Sequence, residues 1–160
     1  MTEPSTLVTP EMEQARGVWV RELVSPPISE SDIRKWAIAV YWPEPPPRLF
    51  CDAEYAKDTK WGGIVAPEDF NPFAWPVPTG DGKAAALPGM LGRRVLNGGQ
   101  VDTFGVRMRP GDVVSTRTCL ARWQEREGRG GLKLFSDYDT EWRNQDGALV
   151  KRRVATVIQF

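Results

Sequence analysis

The sequence predicts an α+β fold: a helical first half, then an antiparallel meander of long strands. Two of the observations behind this are patterns. Ile33, Trp36, Ala37 and Val40 fall at i, i+3, i+4 and i+7, one apolar helix face. From Gly92 onward, long alternating runs are separated by Pro110-Gly111-Asp112, Gly128–Gly131 and Asn144-Gln145-Asp146-Gly147, all turn signals. The third is the stretch between the halves, Trp61 to Pro78, WGGIVAPEDFNPFAWPVP. A proline inside a helix removes a backbone bond and clashes with the preceding turn, at about 3 kcal/mol. Pro67, Pro72, Pro76 and Pro78 therefore forbid a long helix here. One turn at Pro67–Phe70 is allowed, because proline is tolerated at a first helical position. Ile64, Val65 and Ala66 can line a core, and Phe70, Phe73 and Trp75 are too apolar for an exposed loop. The expectation is an irregular apolar segment around which the sheet wraps.

The elements follow in order. Residues 1–10 are expected to be a frayed, flexible terminus, and 11–160 a single domain, the default at this length. Pro10–Arg16 reads as a short helix capped by Thr9 and ended by Gly17. Val18–Val24 reads as a strand, stopped by Ser25-Pro26-Pro27. A helix over 31–41 is capped by Ser29 or Ser31, with acids in its first turn where the dipole favours them. Pro43-Glu44-Pro45-Pro46-Pro47 ends it in an extended path. Asp52 can cap a short helix to Lys57, and Thr79–Pro88 is a loop. Arg93–Leu96 and Gln100–Arg109 are extended runs broken by Asn97-Gly98-Gly99. Val113–Glu127 is a strand with Val114, Thr116, Thr118 and Leu120 on one face. Leu132–Arg143 is the next, with Leu134, Ser136, Tyr138 and Trp142 together. Leu149–Phe160 closes the chain, with Val150, Val154, Thr156, Ile158 and Phe160 sharing a face. That apolar ending leaves open that the chain is a trimmed domain.

Composition narrows the chemistry. Lys plus Arg equals Asp plus Glu, 21 each, so a nucleic-acid or membrane-surface partner is not expected. No apolar run approaches the ~20 residues of a membrane span. The start, MTEPSTLVTPEMEQ, is polar and acidic, unlike a signal peptide. Cys51 and Cys119 are too few for a disulfide framework, and free thiols fit a cytoplasmic location. There is no histidine, which excludes a Ser-His-Asp or Cys-His arrangement, a His-ligated metal and a His general base within this chain. No metal and no cofactor is expected. Seven tryptophans imply a large core or an interface.

The order of helix, Pro-rich loop, Gly62-Gly63-Ile64, Asn97-Gly98-Gly99-Gln100, the Pro110-Gly111-Asp112 turn and the Asn144-Gln145-Asp146-Gly147 hairpin resembles the MaoC-like hydratases and dehydratases, in particular their FAS1-type N-terminal dehydratase branch. The resemblance runs from about Arg16 to Phe160. It implies a hot-dog fold, an antiparallel sheet around a central helix, here shortened and proline-interrupted. Active members carry an Asp and a His in the loop after the first main helix, in a pattern like D-x-N-P-x-H. These two handle the proton and water exchanged with an α,β-unsaturated acyl thioester. Here Trp42 stands where the Asp would be, Glu44 where the Asn would be, and Pro47 where the His would be. The glycine whose N–H meets the thioester oxygen survives as Gly63.

The resemblance therefore implies a degenerate subunit with no catalytic residue of its own, the Asp and His coming from a related partner chain. The implied function is that of a substrate-pocket and structural subunit of a heteromeric enoyl-CoA hydratase or 3-hydroxyacyl-thioester dehydratase. The broken helix leaves room for a bulky acyl-CoA, such as a steroid side-chain thioester. The substrate-binding residues expected are Gly63, Ile64, Phe70, Phe73 and Trp75. Each candidate has a plainer reading beside it. Gly63 can be a tight turn, Glu44 a solvated carboxylate, and Lys151-Arg152-Arg153 with Arg93-Arg94 a solvated strand end rather than a CoA phosphate site. Trp36, Trp42, Trp61 and Trp75 can line a tunnel or only pack a core. Two other function classes remain: a hot-dog thioesterase using Glu68 or Asp69, and a non-enzymatic thioester-binding module.

Overall fold

The computed structural model describes residues 6–74, 87, 89–90 and 94–160. Its framework starts from turn chemistry. Arg109 N–H donates to Asp112 Oδ2 at 2.8 Å, which closes the Pro110-Gly111-Asp112 turn. Asn144 Oδ1 accepts from the N–H groups of Asp146 and Ala148 in the second turn, at 3.2 and 2.9 Å. Gln145 joins the two. Its Oε1 accepts from Val113 N–H at 3.0 Å and its Nε2 donates to Asp112 Oδ1 at 3.1 Å. Two motifs 32 or more residues apart thus form one polar lock at one end of the sheet.

The strands are β1 (Val20–Val24), β2 (Val95–Phe104), β3 (Ser115–Gly128), β4 (Gly131–Arg143) and β5 (Leu149–Gln159). They form one antiparallel sheet in the order β1-β3-β4-β5-β2, so β1 and β2 are its edges. The helices α1 (Pro10–Ala15), α2 (Glu30–Tyr41) and α3 (Ala53–Lys57) begin at Thr9, Ser29 and Asp52. Each of these side chains accepts a backbone N–H of its first turn, at 3.0–3.3 Å. Such caps contribute about 1 kcal/mol each.

The main core lies between the sheet and α2. Ile33 and Ala37 of α2, Phe50, Ile64, Val65, Ala66, Phe70, Met108, Val114 and Val150 are buried together. Full burial of side chains such as Ile33 and Val65 contributes roughly 1.5–3 kcal/mol each. Among the described residues, 61–74 contain no helix. The segment makes the one allowed turn, with Phe70 N–H donating to Pro67 O at 3.1 Å. Before it, Ala66 N–H donates to Met108 O at 2.8 Å, and Arg107 Nη1 donates to Ala66 O at 3.2 Å. Among the described residues, the proline-interrupted segment is therefore a single turn fastened to the β2–β3 connection. A second cluster, Met12, Leu120, Leu134 and Tyr138, lies under α1.

Several expectations are corrected. Of the terminus expected to be frayed, residues 1–5 lie outside the described residues. Thr6 Oγ1 donates to Glu125 Oε1 at 3.0 Å, Leu7 N–H bonds the same carboxylate, and Leu7 and Val8 pack against the second cluster. Val40 continues the apolar periodicity of α2 but is exposed, because the core ends beneath Ala37. Asn97-Gly98-Gly99 does not break β2; it makes a register shift within one strand. Arg107–Arg109 lie beyond that strand. The face expected for β5 is also different. Ser136 pairs with Val157 and Leu134 with Gln159, so the buried face carries Val157 and Gln159. Val154, Thr156 and Ile158 face the other side with Asp139, Asp137 and Phe135. An irregularity beside Val150 moves the register, and one residue of slip flips every later side chain.

Candidate functional site

The proline-rich loop after α2 is exposed. Trp42 is 78% exposed, and Glu44 and Pro47 also face solvent. Glu44 N–H donates to Tyr41 O at 2.8 Å, a turn that stops the helix. The loop returns to the body through the 3-10 turn Arg48–Phe50, where Phe50 is buried and its ring lies 6.1 Å from that of Tyr41. Cys51 Sγ donates to Pro47 O at 3.6 Å.

Gly62 and Gly63 carry φ of 64° and 155°, values that a side-chain-bearing residue rarely adopts. A Cβ at Gly63 would meet nothing within 4 Å, so open space lies in front of it. Among the described residues, no backbone carbonyl accepts the N–H of Gly63 or Ile64. Ile64 forms one wall of a cleft of about 360 Å³ with Phe50, Cys51, Ile38, Arg34 and Lys35. The chain just after the proline-rich loop and the segment after Gly63 thus meet at one cleft, through Cys51 and Ile64.

The expected substrate surface is divided. Ile64 belongs to that cleft, and Gly63 does not line it. Phe70 is buried edge-on against Trp36, with centroids 5.6 Å apart, and lines a second cleft of about 250 Å³ with Met108, Trp142 and Val150. Phe73 packs partly buried against the main core. Trp75 lies outside the described residues, as do Pro76, Pro78, Arg93 and all of Thr79–Pro88 except Leu87. Of the tryptophans considered for a tunnel, the three that are described do not converge. Trp36 and Trp61 pack on the core, whereas Trp42 projects into solvent.

The basic run of β5 is committed to carboxylates, although Arg152 is half exposed. Arg153 donates to both oxygens of Asp102 at 2.7 Å, and Lys151 Nζ lies 3.1 Å from the same carboxylate. Arg152 grips Asp139 on β4 with both Nε and Nη2. The Lys151 side chain is only 14% exposed. Hydrogen bonds from Arg153, then Lys151, hold the Asp102 carboxyl down at about 2 despite its partial burial. Strand pairing created this: Asp102 stands opposite Arg153 across the β2–β5 ladder. The carboxylates considered for a thioesterase are also accounted for. Glu68 pairs with Arg107 at 2.9 Å, and both Glu68 and Asp69 are exposed. Burial pushes the Cys119 thiol up, and Cys51 and Cys119 are both free.

Sequence reasoning passed over Arg34, Lys35, Phe50 and Cys51. One signal was available: Ile38 is apolar but lies off the main stripe of α2, four residues after Arg34. Among the described residues no group of three or more His, Cys, Asp or Glu side chains can hold a metal ion. No helix of the described residues is long and apolar enough to cross a membrane.

Comparison with known proteins places this geometry. The family described as FAS1-like, dehydratase domain region, matches residues 14–153. No curated protein matches the chain in sequence. Among solved structures, it is similar to the ChsH1–ChsH2 complex from Mycobacterium tuberculosis, with a TM-score of 0.71, 17% identity, and coverage of 94% of this chain and 89% of that one. It is similar to the MaoC-like dehydratase from Rhodospirillum rubrum at a TM-score of 0.59 and 17% identity, over 87% and 90% of the two chains. It also resembles the C-terminally truncated HadBC (3R-hydroxyacyl-ACP dehydratase) complex from Mycobacterium tuberculosis, with a TM-score of 0.56, 20% identity, and 87% and 96% coverage. At these identities the likeness establishes the fold, which is the hot-dog fold.

Proposed function

The chain belongs to the family of the FAS1-like dehydratase domain region, and from that premise we propose that it is a non-catalytic subunit of a heteromeric hydro-lyase. The reaction is hydration of an enoyl-CoA or dehydration of a 3-hydroxyacyl thioester. The observation that carries this reading is the loop after α2. It holds Trp42, Glu44 and Pro47 where an acid–base pair would stand, all exposed, in a chain with no histidine. A related chain must supply the Asp and His. Two of the similar structures are complexes named for two components, ChsH1–ChsH2 and HadBC, which supports a partner of the same kind here. Edge strand β2 is open to such a partner: Leu96 and Val101 are 56% and 68% exposed. An uncovered apolar edge invites pairing with another chain. An interface above about 2,000 Å² in total is expected. A cytoplasmic location is part of the reading.

The acyl group is bulky in this reading, with the side-chain thioester of a steroid or other polycyclic acid as the leading case. Support comes from the lack of a helix among the described residues 61–74 and from the flat walls Trp36, Phe70 and Trp142 of the second cleft. Ligand pockets are typically apolar and aromatic-lined. The test is an enoyl-CoA hydration assay. The isolated chain gives no turnover, and mixing with the Asp/His-bearing partner restores it. Turnover of about 1 per second or more by the isolated chain would overturn the degenerate-subunit reading. With the complex, kcat/KM for a polycyclic enoyl-CoA exceeds that for crotonyl-CoA; the reverse order removes the bulky-substrate assignment alone.

A further inference from the structure

We propose that the face of the sheet turned away from the main core binds a small organic oxyanion, with Arg126 and Lys133 on its charged group. The inference does not depend on the proposed function. It starts from the register of β3 and β4. Gln124 stands opposite Phe135, and Arg126 opposite Lys133. Phe135 faces the same side as Asp137, Thr156 and Ile158, away from the buried face. Side chains two apart on a strand share a face, so Arg126 and Lys133 stand on that side too. Here Arg122, Gln124, Arg126, Phe135, Asp137 and Thr156 line a cleft of about 510 Å³, with Lys133 beside Arg126.

Strand pairing neutralises the cations of β5 but does the opposite here. Like charges directly opposite one another destabilise a strand pair. Among the described residues neither Arg126 nor Lys133 has an ion-pair partner. Arg126 Nη2 donates to Gln124 Oε1 at 2.8 Å, and its guanidinium lies 5.2 Å from the centre of the Phe135 ring. A neutral amide and a ring hold the group in place without cancelling its charge. The acceptors of the cleft are already engaged. Asp137 Oδ2 accepts from Arg122 Nε at 2.6 Å, and Asp137 Oδ1 accepts from the Thr156 hydroxyl at 2.6 Å. Arg122 spends only Nε on that bond. Its remaining N–H groups, those of Arg126 and the ammonium of Lys133 are the capacity left over. Such a site calls for an acceptor with negative charge. Arginine takes a carboxylate or phosphate through a planar fork, and lysine takes it as a point charge. One oxyanion between Arg126 and Lys133 engages both and offsets their repulsion. The cleft volume falls within the roughly 300–1,000 Å³ of ligand sites, so an organic body fits beside Phe135.

Binding is measured on the full chain with benzoate, phenyl phosphate and inorganic phosphate, and with uncharged benzyl alcohol as the control. Benzoate or phenyl phosphate binds saturably and raises Tm by mass action, whereas benzyl alcohol does neither. The tighter of the two identifies the charged group as carboxylate or phosphate. Inorganic phosphate binds more weakly than phenyl phosphate, because it has no body to fill the cleft. Arg126→Gln with Lys133→Gln weakens the bound anion about tenfold, the loss of one hydrogen bond to a charged group. Arg34→Gln, on the other side of the sheet, leaves it unchanged. Without an anion the double variant melts no lower than wild type, since the like charges are gone. Should it melt lower, Lys133→Gln alone carries the comparison. Wild-type affinity in the variant, benzyl alcohol binding as tightly as benzoate, inorganic phosphate binding as tightly as phenyl phosphate, or no saturable binding of any anion overturns the site.

Discussion

Compare the inner face of the β2–β5 pair with the open side of α2. On the strand pair, Asp102, Lys151 and Arg153 meet one another at 2.7–3.1 Å. Along α2 and its loop, Arg34 meets no acid among the described residues and Trp42 stands in solvent. Both regions read in the sequence as charged and aromatic residues near a proline or a strand end. They differ because a strand recruits partners from distant sequence, here 51 residues away, whereas an exposed helix face offers only i±3 and i±4. A basic run is thus poor evidence for an anion site when it sits in a paired strand.

The largest expected effect tests how closed the strand pair is. A Cβ added at Gly105 would lie 2.0 Å from Leu149 O, beside the bonds Gly105 N–H to Val150 O and Val106 N–H to Leu149 O, both 2.9 Å. Backbone atoms on both sides leave no flexible group to yield. Gly105→Ala should cost about 3 kcal/mol, the upper end of overpacking, read as a lowered urea midpoint. A wild-type midpoint would show that this corner is looser than described.

Asp102 comes next. Its carboxyl lies at about 2 against an ordinary 3.8, a depression of nearly two units, worth about 2 kcal/mol at ~1.36 kcal/mol per unit. The folded-state value is the lower one, so this stability is present above pH 3.8 and is lost as pH falls towards 2. Asp102→Asn should lower stability by about 2 kcal/mol at pH 7. The gap between wild type and variant should close over that acid window in thermal melts. A gap that stays constant with pH would mean that the carboxyl is not held by Arg153 and Lys151.

The smallest effects belong to the open side. Trp42→Ala, and separately Arg34→Ala with Lys35→Ala, should change the stability of the isolated chain by no more than about 0.5 kcal/mol. A loss of more than 1 kcal/mol in either would place these groups in a packed region and erase the contrast.

Much of the fold was legible because its signals are local. Thr9, Ser29 and Asp52 cap helices by accepting from N–H groups three residues on. The prolines of 61–78 stop a helix wherever they sit in a fold. The candidate site was half legible. The absence of an acid–base pair in the loop is a property of residue identity alone. The placing of Ile64 and Phe70 beside two different clefts was not legible, since it depends on how distant segments pack.

The sequence by itself determined the element order, the caps, the turns, the proline interruptions after Trp61 and the absence of histidine, because each is a matter of residue identity or of side chains within a few residues of one another. Tertiary structure alone decided which face of β5 is buried, which cations are neutralised, and that Gln145 locks one turn to Asp112 of another. Those outcomes depend on strand register. A shift of one residue at Asn97–Gln100, at Leu120–Arg122 or beside Val150 exchanges the two faces of a strand, and only pairing with a neighbouring strand fixes where the shift falls.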